Sequence, residues 1–238
     1  MLPSLVTENA EYYVIDKPAG LAVEPVAHYP TVSQWLIDAG KIKPSDWPSE
    51  ARLGVVHRLD VETSGILVWA KNSDSQFKLK QLWQGRAVEK TYLGLAIGEL
   101  PKVGAIELPI KRDNRKDRQV VAVLFDPKAR PAITKFRRLQ TANIGKDVVS
   151  FFEAKPITGR THQIRVHFQH LGHPVIGDKL YGNKASRAVA SQLKLDRHFL
   201  HAAELKLTWQ GKVLTYVSPL PEELANILER LGLDVEQN

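Results

Sequence analysis

The 238-residue sequence contains no cysteine. That excludes disulfides, zinc-thiolate sites, iron-sulfur clusters and a cysteine nucleophile, and leaves carboxylates, His, Tyr, Lys, Arg and hydroxyls to carry any chemistry. No apolar run approaches the roughly 20 residues of a membrane span. The opening MLPSLVTENAEYYVID has no basic segment leading into a long apolar one, so a soluble, cytoplasmic chain with no membrane partner is expected. Phosphate-loop and dinucleotide glycine spacings are missing, and Ser64 in TSG does not stand in a nucleophile elbow. Internal repeats, low-complexity tracts and long linkers are also missing. A chain of this length can bury a full-sized core, and one catalytic unit over 1–238 is expected, acting as a monomer.

What the chain has in excess is positive charge: 33 Lys and Arg against 26 Asp and Glu, a net +7. Such a surface attracts polyanions. The charge is densest in KRDNRKDR, Lys111 to Arg118, followed by Lys128, Arg130, Lys135, Arg137 and Arg138. This cluster reads equally as a solvated hairpin loop or as a loop facing RNA.

Runs rich in Val, Ile and aromatics recur at short intervals: YYVID, GILVWA, KTYLGLAI, QVVAVLF, ITKFRRL, VVSFFEA, LHAAELKLTW and KVLTYV. Roughly eight strands with few helices between them predict an α+β protein with a mixed, mainly antiparallel sheet. In TVSQWLIDAG, Thr31 and Gln34 are spaced as a capping box and Gly40 is a stop; SDSQFKLKQLWQG repeats the pattern with Ser73, Gln76 and Gly85. Near the C-terminus, Leu224, Ile227, Leu228 and Leu231 share one face of a helix expected over about 219–232. In GRTHQIRVHFQHLG, Thr161 is the expected cap. Ile164, Phe168 and Leu171 form the apolar stripe, with His162, Arg165 and Gln169 opposite.

Three features bear on chemistry. Asp60, in VVHRLDVETSG, stands two residues after Arg58 on a short turn. The ordinary role of such an Asp is to cap its own backbone. A functional carboxylate there would need a positive partner to stay ionised, because desolvation raises its pKa; Arg58 is near in sequence and Arg165 is a candidate in space. His162, His167, His170 and His173 crowd one segment, but no Asp or Glu lies among them to complete a metal set. They read as helix-surface or RNA-facing histidines. Tyr92, in EKTYLGLAIG, alternates to the opposite face from Thr91 and Leu93. It is either a core tyrosine or a ring set against a base, where stacking is worth about 1 to 3 kcal/mol.

Taken in order, HRLDVETSG, EKTYLGLAIG, GRTHQIRVHFQHLGHPVIGDKLYG and FLHAAELKL resemble the successive signatures of the RluA-type pseudouridine synthases. YYVIDKPAGLAVEP is similar to the family's opening strand and Lys-Pro-x-Gly turn. The resemblance spans about residues 11 to 218. It implies a pseudouridine synthase fold of two lobes with flanking helices and a central cleft, and an enzyme that isomerises uridine within tRNA or large-subunit rRNA without cofactor or metal. Asp60 matches the family's essential aspartate, Tyr92 its active-site tyrosine, and Arg165 the arginine that pairs with the aspartate. Arg58 matches the arginine thought to hold the helix open around the flipped nucleotide. His57, Thr63, Lys90, Arg160 and His162, within or beside the matched motifs, are further candidates for touching RNA, as are Lys111, Arg112, Arg115 and Lys116 of the basic cluster. Many relatives carry an N-terminal S4 module; the signature beginning near residue 11 predicts none, so RNA affinity is expected from the catalytic domain itself. Two rivals are a non-catalytic RNA binder, and a glycosidase-like hydrolase that would use Asp178 or Glu62 as a second carboxylate.

Overall fold

The computed structural model describes residues 2–25, 28–113, 116, 118–122 and 125–234. In chain order the strands are β1 (Ser4–Glu8), β2 (Tyr12–Lys17), β3 (Ser64–Ala70), β4 (Val88–Ile97), β5 (Val103–Glu107), β6 (Ile110–Asp113), β7 (Arg118–Val121), β8 (Ile133–Ile144), β9 (Asp147–Pro156), β10 (Leu200–Trp209) and β11 (Lys212–Val217). The helices are α1 (Val32–Asp38), α2 (Ser73–Gln84), α3 (Gln163–His170), α4 (Lys184–Leu193) and α5 (Glu222–Arg230). The chain divides into one unit of residues 1–90 with 202–219 and a second of 91–201 with 220–238.

In the first unit the strand order is β1-β2-β3-β10, with β11 paired to β10. The β2–β3 and β10–β11 pairs are antiparallel. Strand β3 is buried along its whole length, as expected of the continuous apolar run ILVWA. Alternation sends Tyr12, Val14, Ile66, Val68, Leu205 and Leu207 to one face, where Leu79 of α2 covers them. On the other face Tyr13 donates its hydroxyl to Lys41 O, just past α1, at 2.8 Å. Burial of each large apolar side chain such as Leu67 contributes about 1.5 to 3 kcal/mol.

In the second unit the order is β4-β9-β8-β5, every pair antiparallel. Period two again assigns the faces. Leu95, Ile97, Val149 and Phe151 meet α4 and α5 through Val189, Leu193, Leu224 and Leu228. Ala96, Phe152 and Ala154 meet α3 through Ile164 and Phe168, and Phe152 stacks on Phe168 with centroids 4.2 Å apart. Strands β6 and β7 form a separate two-stranded hairpin.

Several expectations need correction. The described residues contain eleven strands rather than about eight. The extra ones, SLVTE, VGAIE and IKRD, are short, mostly exposed or charged, and carry little apolar signal. QVVAVLF is strand only as far as Val121, and Val123 and Leu124 lie outside the described residues. The cap of α2 is Asn72 with Ser75, one residue earlier than expected; Gln76 is instead a buried strut. Thr161 does not cap α3; His162 does, in a left-handed conformation at φ 56° and with no side-chain cap bond. The two-stripe reading of α3 also fails, because residues 163–168 are all buried while Leu171 is exposed. Val166, on neither predicted stripe, packs against Ile110 of the hairpin and Tyr181. Helix α4 went unanticipated: KASRAVASQL buries small residues such as Ser186 and Ala190 and offers few bulky ones.

Candidate functional site

Asp60 lies half-buried in the turn between the 3-10 segment Ser49–Gly54 and β3. Thr63, itself buried, donates its amide N–H to Asp60 O at 3.1 Å and closes the turn. The turn is fastened to its surroundings from several directions. From α2, the buried Gln76 amide donates to Ala51 O at 2.6 Å and Val55 O at 2.9 Å. His57 accepts the Val68 N–H of β3 at Nε2, 2.9 Å, and its ring stacks on Trp83 at 4.6 Å. Val61, next to Asp60, has its carbonyl held by the Gly20 N–H at 2.9 Å and by the Lys17 ammonium at 3.1 Å.

Lys17 is fully buried and also donates to Pro18 O and Leu21 O at 2.9 and 3.0 Å. A lysine this deep stays charged only where several acceptors replace water. It thereby ties the Lys-Pro-x-Gly turn to the residue beside Asp60. Gly65, at φ 117°, ends the motif where an added Cβ would strike the Ala202 backbone of FLHAAELKL, so only glycine allows those two motifs to touch.

Burial, with the nearby Lys90 charge, lowers the His57 pKa to about 3. The ring is therefore neutral and, since Nε2 accepts, carries its proton on Nδ1. Burial likewise lowers the pKa of Lys90. Arg58 is exposed, 3.8 Å from Glu24, which also pairs with Arg52.

In the second unit, Tyr92 of β4 is opposite Ala154 of β9 and packs, half-buried, against the Phe152 and Phe168 cluster. The expected alternation holds, since Leu93 packs into the cluster on the other face. Arg165 is buried in α3, and its Nε and Nη2 grip Asp178 at 2.7 and 3.0 Å. Burial alone would raise the Asp178 pKa, but the Arg165 bond and charge, the Tyr181 N–H and the His198 charge outweigh it and hold the pKa below the usual range. Sequence reasoning weighed Asp178 only as a spare carboxylate. The signal for its real role was GDKLYG, where one Asp in a turn bonds the Leu180 and Tyr181 amides at 2.9 Å each.

Gln163 anchors the start of α3: it accepts from Thr158 Oγ1 and the Arg160 N–H, and donates to Ile133 O and Thr134 Oγ1. His167 is no surface histidine. It is fully buried between Thr134 Oγ1 at 2.9 Å and Leu108 O at 3.0 Å, and burial lowers its pKa. His162 Nδ1 lies 2.9 Å from the Tyr181 hydroxyl, and His173 Nδ1 bonds Ile97 O. His162, His167 and His173 thus serve separate partners, while His170 is exposed. Arg160, half-buried, also donates from Nε to Pro131 O at 3.1 Å.

Of the basic cluster, Lys111 is ion-paired to Asp126 at 2.7 Å, while Arg112 and Lys116 are exposed. Arg115 lies outside the described residues.

A sequence profile of the RNA pseudouridylate synthase family matches residues 11–170, a span containing Lys17, Asp60, Tyr92 and Arg165. An uncharacterized RNA pseudouridine synthase of Chloroflexus aurantiacus is 41% identical over 91% of the chain and 65% of its own length. The ribosomal large subunit pseudouridine synthase D of Nitrosomonas europaea is 36% identical over 95% of the chain and 64% of its own length. The chain therefore spans just under two thirds of these relatives. Among solved structures, human RNA pseudouridylate synthase domain containing 4 superposes with TM-score 0.76 at 25% identity, covering 98% of this chain and 94% of that one. Human RNA pseudouridylate synthase domain containing 1 shares the fold, with TM-score 0.74 at 24% identity over 98% and 96%. With the profile covering more than half its residues, the chain belongs to the RNA pseudouridylate synthase family.

Proposed function

We propose that this protein isomerises uridine to pseudouridine in RNA, with Asp60 as the catalytic carboxylate. The observation that carries the reading is the Asp60 turn. Lys17, Gly20, His57 and Gln76 fasten its backbone and neighbours, as a group that must meet a sugar carbon in one orientation requires. The reaction breaks the N1–C1′ bond, turns the uracil, joins C5 to C1′, and moves one proton from C5 to N1. Atoms and charge balance within one nucleotide, so no oxidant, reductant or cofactor is consumed. An ionised carboxylate beside the sugar has two routes, covalent attack at C1′ or removal of the C2′ proton.

In this reading Arg165 supplies a fixed positive charge to the reaction, from a helix that Asp178 and Gln163 hold still. Tyr92 packs on the uracil. Arg58, exposed next to the catalytic turn, fills the space a flipped base leaves, at a cost of a few kcal/mol that RNA contacts offset. Lys90, Arg160, His162, Lys111, Arg112 and Lys116 are the candidates for those contacts, while His57 and Thr63 position the turn. The names of the curated relatives make large-subunit rRNA the first substrate to test and tRNA the second.

The test is incubation of the protein with large-subunit rRNA and tRNA transcripts. Nucleosides of unchanged mass but altered retention are expected with the native protein and not with Asp60→Asn, which still binds RNA. Release of free uracil would instead point to a hydrolase.

A further inference from the structure

The basic hairpin and the arginine helix meet on one side chain, Tyr181, which is 4% exposed. Its hydroxyl oxygen accepts the Gln119 N–H of β7 at 2.9 Å and lies 2.9 Å from His162 Nδ1 at the start of α3. Gln119 is the residue directly opposite Arg112 across the β6–β7 hairpin. The face of the same ring lies 5.1 Å from the Arg165 guanidinium carbon. The Tyr181 amide bonds Asp178, the carboxylate that grips Arg165. His162 keeps a left-handed φ of 56°, a conformation that a residue with a Cβ holds only where neighbours fix it.

We infer that Tyr181 is a positioning residue whose hydroxyl fastens the basic hairpin to the arginine helix, so that the exposed hairpin cations Arg112 and Lys116 are held in a fixed place relative to the buried Arg165. The inference rests on the proposed RNA reading. A two-stranded hairpin is marginal by itself. This one is secured by Ile110 and Val121 against Val166 and Tyr181, by the reciprocal Ile110 and Arg130 backbone bonds, and by the tyrosine oxygen. Without that oxygen β7 loses an anchor directly opposite Arg112, and RNA must order the hairpin as it binds, which weakens association without touching the reacting atoms.

Tyr181→Phe tests this, since it keeps the ring against Arg165 and the packing around Val166 and removes only the oxygen. Amide exchange at Gln119 should accelerate about fivefold, the effect of one ordinary hydrogen bond. Phe151 amide exchange, in the β9 core, should hold steady. The KM for the RNA substrate should rise by a similar factor, with the larger share of the kinetic change in KM rather than kcat. Unchanged Gln119 exchange, unchanged KM, or equal acceleration at Gln119 and Phe151 would each overturn the inference. A parallel variant, Lys111→Gln with Arg112→Gln and Lys116→Gln, separates it from the reading beneath it. If that triple variant binds RNA as the native protein does, with the same salt dependence, the hairpin is not an RNA surface. If it binds more weakly while Tyr181→Phe does not, only the role of Tyr181 falls.

Discussion

Arg165 shows what one residue's surroundings add to its pattern. The motif HQIR marked it as a cation of interest, and its partner was expected to be Asp60. The partner found within its own unit is Asp178, and both members of the pair are almost wholly buried. Sequence spacing could not show this, because α3 and the turn at Gly177 are joined through a proline and meet only when the chain folds back. Removing one partner of a buried ion pair leaves the other desolvated and unmatched, at about 3 to 5 kcal/mol. Arg165→Ala should therefore lower the unfolding free energy in urea by that amount and also abolish turnover. Arg165→Ala with Asp178→Leu should recover much of the stability and none of the activity. A single variant as stable as the native protein would show that the Asp178 pair carries little.

At the scale of elements, period-two alternation and the cap of α1 were legible. Tyr92 and Leu93 take opposite faces of β4, and Thr31 caps α1 by accepting the Gln34 N–H at 3.0 Å. The illegible part is how turns are tied down, since those bonds run between elements far apart in sequence. His57 reaches eleven residues ahead to β3 and Lys17 reaches forty-four ahead to Val61. The His57 tie has a consequence for pH. Its folded pKa near 3 lies below the usual unfolded value of about 6.5, so the unfolded chain binds the extra proton between those limits. Its contribution is whole above pH 6.5 and is lost as pH falls toward 3, at up to about 1.4 kcal/mol per pH unit. His167, also lowered by burial, adds in the same direction. Urea unfolding between pH 7 and pH 5 should show a steeper loss for the native protein than for His57→Gln. Parallel curves would mean that His57 is not held neutral.

At the scale of the whole molecule, the chain carries two separately packed units. Asp60 belongs to the first, and Tyr92 and Arg165 belong to the second. The order of motifs along the sequence was enough to identify the family, because each motif marks a place where backbone or charge leaves no freedom. Gly65 meets the Ala202 backbone, Lys17 sits among three carbonyls, and Asp178 is gripped by Arg165. Residues that only fill space, such as Val189 and Leu193 of α4, left no comparable mark. The net charge of +7 and the exposed Arg58, Arg112 and Lys116 suit a polyanionic partner. The most direct measurement of the central claim is a pseudouridine-specific map of cellular RNA from cells with the protein, cells without it, and cells carrying Asp60→Asn at native abundance. The account predicts that the same one or few uridines lose modification in the deletion and in the variant. Full modification at every site in the Asp60→Asn cells would contradict it.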